Sequence, residues 1–367
     1  MKVNSKSYGT LIVHLSGASF FGIISSYLFN TARNSLIYSV ICGFILSIIL
    51  SLVNISFFNK CSDKSINEKF TLAYKKFGTI INILFILLTI SLFIIVNYRL
   101  TSFLSSQYLT KTYKIVILIL LFATIYNISK RGFETITRVS ILSLVLSLGI
   151  FIFDVCSLIQ YINFDNILPI YFTGKNNFIM SSITFALYFS IPTFYINSIR
   201  KDDLVDKEKF NKYYYIYFII SFIIVVLALI NAALVFGYKL SSLFDYPLYT
   251  VLKRITLFSY IGSTENISVS LWVLYIINSA SIYLYSIINS IKYTFKINNM
   301  KVIGIILLII DILVPKFLLM KNNYVETLEY AMIPNILCAT IFVIFLVTNL
   351  ILKKRCKNDM NPVSWTK

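Results

Sequence analysis

Ten apolar runs divide this chain, near residues 9–29, 35–58, 79–98, 114–128, 139–159, 178–199, 214–237, 267–290, 302–320 and 331–352. A helix rises roughly 1.5 Å per residue, so about 20 apolar residues cross a bilayer core of about 30 Å. Most of the runs reach that length. The run at 114–128 is short and must start near Tyr113, tilt, or thin the bilayer locally. Strands of a membrane barrel would alternate apolar and polar residues over about 10 positions. These runs do not alternate, so they read as helices.

Composition agrees. Of 367 residues, 58% are hydrophobic and 13% are charged. Soluble domains average about 45–50% apolar and about 25% charged. A soluble, disordered or nucleic-acid-binding chain is excluded. The formal charge of +18 reflects 33 Lys and Arg against 15 Asp and Glu, which in a membrane protein marks basic cytoplasmic loops. With the N-terminus inside, 23 of the 33 basic residues fall in cytoplasmic segments. Both termini are then cytoplasmic, which requires an even number of spans. The first run follows Lys2 and Lys6 but has the length of a full span and no small-x-small cleavage site, so it reads as a retained helix. Abundant Ile, Asn, Lys, Phe and Tyr suggest a low-GC bacterial genome.

The chain divides into a first five-helix repeat at 1–160, a connecting loop, span 6 and a charged cytoplasmic linker at 161–212, a second five-helix repeat at 178–352, and a basic cytoplasmic tail at 353–367. An odd number of crossings per half inverts the second half relative to the first. The outer segment 239–266 holds Tyr246-Pro247 and an amphipathic stretch to Tyr260, read as a short helix lying along the membrane surface.

Five scattered cysteines without a Cys-x-x-Cys pair read as buried small residues or thiols, and a single histidine argues against a His-based metal site. No nucleophile–base pair, phosphate-binding Gly-rich loop, Gly-x4-Gly-Lys-Ser/Thr or carboxylate couple occurs. No enzyme activity, cofactor, metal or nucleic-acid partner is expected.

Transporters built from inverted repeats place their sites where helices are interrupted at corresponding positions. Span 1 carries Ser16-Gly17-Ala18-Ser19-Phe20-Phe21-Gly22, and span 6 carries Tyr188-Phe189-Ser190-Ile191-Pro192-Thr193. Glycine weakens a helix, and proline deletes a donor and frees a carbonyl. Half-helix N-termini would face a carboxylate and freed carbonyls an ammonium, so a zwitterionic amino acid fits both ends. Helix packing by small residues explains the same pattern. The candidate substrate contacts are Gly17, Ala18, Ser19, Gly22, Tyr98, Tyr188, Ser190, Pro192, Asn278 and Ser279. Asp154 and Asp311 lie inside spans, where an ionisable residue is costly. Each is either a proton relay or a structural hydrogen bond. His14, one turn before Gly17, either belongs to the same pathway or packs.

Several ordered motifs resemble one family. Lys130-Arg131-Gly132-Phe133-Glu134-Thr135-Ile136-Thr137-Arg138 resembles its basic-Gly-x-Glu-x-Ile-x-Arg loop before span 5. Asn163-Phe164-Asp165-Asn166-Ile167-Leu168-Pro169-Ile170 is similar to its Asp/Asn-rich approach to Leu-Pro. Tyr246-Pro247 with Leu252-Lys253-Arg254-Ile255 resembles its external helix. Glu265, Trp272-Val273, Ser281 and Leu284-Tyr285 match its entry into span 8. The family is that of the B subunits of endospore germinant receptors, the spore germination permeases of the amino acid–polyamine–organocation superfamily. The resemblance covers roughly residues 8–350.

It implies an all-α membrane fold of about ten helices in two inverted five-helix repeats, leucine-transporter-like. It also implies a substrate site between spans 1, 3, 6 and 8. The implied role is sensing a small germinant, commonly an amino acid, in the spore inner membrane beside a larger membrane A subunit and a lipoprotein C subunit. A proton-coupled amino-acid permease acting alone, or a non-transporting scaffold subunit, are the alternatives. The sequence departs from the family pattern at Tyr27 and Leu28, where a Pro often closes span 1, and at Ile141, Gly262, Ser263 and Ser279, where charged residues are common. Span 6 also lacks a frequent Gly-Glu.

Overall fold

The computed structural model describes residues 3–168, 174–255, 265–316 and 327–359. Span 1 is α1 (Ser5–Ser19), a π turn (Phe20–Ile24) and α2 (Ser25–Ala32). Span 2 is α3 (Leu36–Asn59). A short helix α4 (Ile66–Tyr74) precedes α5 (Gly78–Gln107), α6 (Lys114–Lys130) and α7 (Phe133–Leu158), which are spans 3 to 5. Span 6 is α8 (Lys175–Ser190) continued by a 3-10 run, Ile191–Ser198. Span 7 is α9 (Phe210–Leu243). A short α10 (Pro247–Leu252) leads to spans 8 to 10: α11 (Glu265–Phe295), α12 (Met300–Val314) and α13 (Thr327–Asp359).

Each expected run thus falls on helix wherever its residues are described; residues 317–320 of the ninth run are not among them. Seven helical stretches among the described residues are long and apolar enough to cross a membrane unaided. The π turn divides span 1, and α6 and α12 have 17 and 15 residues, so these three fall short of that length. The surface helix expected from Tyr246 to Tyr260 is seen as α10; its later part, from residue 256, lies outside the described residues. So do Pro169, Ile170, Gly262, Ser263 and the end of the basic tail.

Contacts between loops agree with the sidedness read from charge. The N-terminus pairs with the linker after span 6: Val3 bridges Leu204, and the Ser5 amide donates to Asp206 Oδ1 at 2.6 Å. That linker also meets the loop before α4, through Arg200 to Glu68 at 2.7 Å and Ser62 to Asp202 at 3.3 Å. At the other end, Phe103 of α5 packs edge-on against Tyr246 and Tyr249, and Asn166 docks into α9.

Two glycines fix the frame. Gly43 lets α3 lie against α8, because a Cβ there would come 2.8 Å from both the Phe185 Cβ and the Ser182 carbonyl. Gly237 kinks α9 at φ 73°, a left-handed conformation that favours glycine. The kink frees carbonyls upstream, and the Asn166 amide caps them, donating to Leu234 at 2.7 Å and Val235 at 3.2 Å. The Asn/Asp-rich motif after span 5 is therefore the cap of a kinked helix. Cys42, Cys156 and Cys338 are free, whereas Cys61 is disulfide-bonded, which corrects the reading of every cysteine as a small residue or thiol.

Candidate functional site

The break in span 1 is a π turn, in which five residues do the work of a regular turn. Single π turns inside α-helices recur at functional sites. This one places Phe21 against α11, stacked on Trp272 with ring centroids 4.9 Å apart and planes 24° apart. Phe21 also meets Tyr275 edge-on, at 6.0 Å and 86°. Gly17 faces Tyr275 of α11: a Cβ there would meet its ring at 3.5 Å, ordinary van der Waals contact, so alanine also fits. Gly22 lies within the π turn.

Three cavities surround the Phe21–Trp272 pair. The first, about 20 Å³, is lined by Ser147, Asp154, Ser268 and Tyr275 beside the pair. The second, about 30 Å³, adds Asn231 and the α10 residues Leu248, Val251 and Leu252 to Asp154. The third, about 20 Å³, lies on the α5 side, lined by Ala18, Val96, Arg99, Leu100 and Ile276. A cavity needs about 10–15 Å³ to hold one water. Each therefore takes a water or two, and the site stands closed. A fourth cavity, about 70 Å³ between α3 and α9, is lined by aliphatic side chains alone and offers nothing to orient a polar guest.

The expected break in span 6 takes a different form. The helix tightens into a 3-10 run with Pro192 in its first turn, and its carbonyls are not bare. Thr193 donates to Ser190, Asn54 to Thr193 at 3.1 Å, Asn197 to Phe194 at 2.7 Å, Ser198 to Tyr195 at 2.7 Å, and Tyr8 to Ile196. Buried backbone groups need partners, and here the protein supplies them. The carbonyls of Ser190, Thr193, Phe194, Tyr195 and Ile196 therefore have partners within the protein.

The remaining candidates scatter. Ser19 is buried in the last turn of α1. Tyr98 is half-buried and borders none of the cavities described. Tyr188 is buried with its hydroxyl unpartnered among the described residues, and Ser190 donates to Ala186 at 2.7 Å. Ser279 is buried on α11. Asn278 is fully buried, and neither amide atom has a partner among the described residues. None of these borders the three cavities.

The ionisable groups separate clearly. Asp154 is 6% exposed, accepts from the Ser268 hydroxyl at 2.8 Å and borders two of the cavities. Asp311 is fully buried, is bound by the Asn97 amide, and borders none of them. His14 is held at both ring nitrogens, Nδ1 by the Thr10 carbonyl at 2.9 Å and Nε2 by Ser143 at 2.7 Å, while its ring lies 4.2 Å from Tyr275.

Sequence reasoning missed Phe21, Arg99 and Trp272 as site residues. Phe21 sat inside the quoted Gly-rich stretch, and Trp272 follows Ser268 by one turn on the face that also carries Tyr275. Helical spacing on α11 was the available signal.

The architecture is that of a leucine-transporter-type membrane permease. Among solved structures, the chain is similar to Mhp1, a nucleobase-cation-symport-1 family transporter in a closed conformation with bromovinylhydantoin bound. The TM-score is 0.60 at 10% identity, covering 98% of this chain and 93% of that one. At that identity the likeness concerns the fold alone. Residues 22–325 match the spore germination protein family, and the chain belongs to it. No curated protein matches the chain.

Proposed function

We propose that this protein is the membrane subunit of a spore germinant receptor. It binds a small germinant, an amino acid by preference, where the π turn of span 1 meets α11. It signals by a change of conformation felt by A and C partner subunits in the spore inner membrane of a low-GC spore-former. The observation that carries this reading is the cluster of water-sized cavities around the Phe21–Trp272 pair, where the interrupted span 1 lies beside the polar side chains of Ser147, Asp154 and Ser268. A ligand there signals only by binding one conformation better than the other. Among the expected contacts, Gly17, Ala18 and Gly22 belong to this place by position.

A thermal-shift screen of the purified protein against amino acids and nucleosides tests the binding. A true ligand stabilises by about 2.7 kcal/mol at a hundredfold excess over its dissociation constant. Absence of any stabilising compound would favour the scaffold alternative. Co-purification with A and C subunits separates the receptor from a permease acting alone.

A further inference from the structure

We propose that Asp154 is the cation-holding group of this site, exchanging its proton for the ammonium group of an organic guest. The inference rests on the binding reading above and deepens it. Of His14, Asp154 and Asp311, Asp154 is the one that borders the cavities beside Phe21 and Trp272. Its hydrogen-bond partner among the described residues is the neutral hydroxyl of Ser268.

The charged and titratable groups around it are committed elsewhere or stand apart. The Tyr275 hydroxyl accepts from Ser147 at 2.9 Å, and His14 is held at both nitrogens. Lys253 donates to Gln107 at 3.2 Å, and Arg254 covers the Phe236 ring. Glu265 begins α11, one turn beyond Ser268. Arg99 borders the cavity on the opposite side of the aromatic pair. An ionised carboxylate buried near the outer end of the bundle, with one neutral donor among the described residues, is costly. In this reading Asp154 holds its proton until a cation displaces it.

An ammonium changes the balance. It brings the missing positive charge and three donors, and Asp154, Ser147, Ser268 and Tyr275, each with a side-chain oxygen able to accept, line one cavity. The carboxylic acid and the ammonium become a carboxylate–ammonium pair, and one proton leaves for water. One O–H bond breaks, and nothing is oxidised or reduced.

The test uses full-length protein in lipid nanodiscs with Trp365→Phe, which leaves Trp272 as the one tryptophan. Valine, isobutylamine and isovalerate are added in weak buffer, and proton release and Trp272 emission are read together. Valine and isobutylamine should change the emission and release close to one proton per site, and isovalerate should do neither. Isobutylamine affinity should weaken about tenfold for each pH unit lowered while Asp154 is protonated, by reciprocal linkage. Asp154→Glu should keep the release and Asp154→Asn should lose it, whereas Asp311→Asn should leave it unchanged. Binding without proton release, or equal release in Asp154→Asn, overturns the proposal. If none of the three compounds changes the emission, the binding reading fails instead. The pH titration of Trp272 emission then decides the protonation alone: a transition absent in Asp154→Asn supports it, and a transition unaltered there overturns it.

Discussion

Phe21 and Trp272 stack with ring centroids 4.9 Å apart, and this contact joins the π turn of span 1 to span 8. Aromatic pairs contribute about 0.5–1.5 kcal/mol beyond the area they bury. A guest that separates the rings must offset that contribution. Cavities on both faces of the pair give the rings somewhere to move.

Substitution at Gly17 separates size from fold. Gly17→Ala should be tolerated, because its Cβ meets Tyr275 at 3.5 Å. Gly17→Leu should drive a branched side chain into Tyr275 and Phe21 and abolish the ligand response while the protein still inserts. A germinant dose-response curve for each variant checks this, and a normal curve for Gly17→Leu would remove span 1 from the site.

The capped carbonyls of span 6 predict a cost in stability without a change in ligand preference. Tyr8→Phe leaves the Ile196 carbonyl without its hydroxyl donor, and Asn54→Leu does the same for Thr193. Each should destabilise by about 1–3 kcal/mol, the cost of a buried unsatisfied group. Thermal melts should show the loss, and the ranking of ligands in a thermal-shift panel should stay the same.

Gly43 and Gly149 form a matched pair. Gly43→Ala forces a Cβ to within 2.8 Å of the Ser182 carbonyl and the Phe185 Cβ, whereas Gly149→Ala meets nothing within 4 Å. Overpacking costs about 1–3 kcal/mol. The melting temperature should fall for Gly43→Ala and hold for Gly149→Ala.

The apolar runs were legible because the bilayer leaves little freedom: length and hydropathy alone define a span. Gly17 and Asp154 were legible because glycine and acid are conspicuous inside a span. Tyr8 and Asn54 were not legible as caps of span 6, because hydrogen bonds over 188 and 139 residues leave no local trace. Asp154 and Asp311 looked equivalent as sequence. What divides them is the neighbour across the helix interface, a cavity for one and Asn97 for the other.

The inner end of the bundle should respond to acid. The hydrogen bond from Lys207 holds the Asp202 carboxyl below its ordinary value, with Ser62 and Lys201 adding to the effect. A lowered folded-state pKa gives stability that is present above the unfolded value and is lost as pH falls through the folded one. The contact between this linker and the loop before α4 should therefore persist at neutral pH and weaken only below the usual carboxylate range, near about 4. Separately from the acid response, Asp206 Oδ1 accepts from the first amide of α1. Asp206→Ala should cost about 1 kcal/mol, as the loss of a helix cap does. Limited proteolysis of the N-terminus across pH checks both.

A density map of the protein bound to the strongest stabilising compound from the screen is the most direct measurement. The account predicts that the compound lies between Phe21 and Trp272, with the two rings driven out of contact and Asp154 beside its ammonium group. A compound bound elsewhere, with the two rings still stacked, would contradict it.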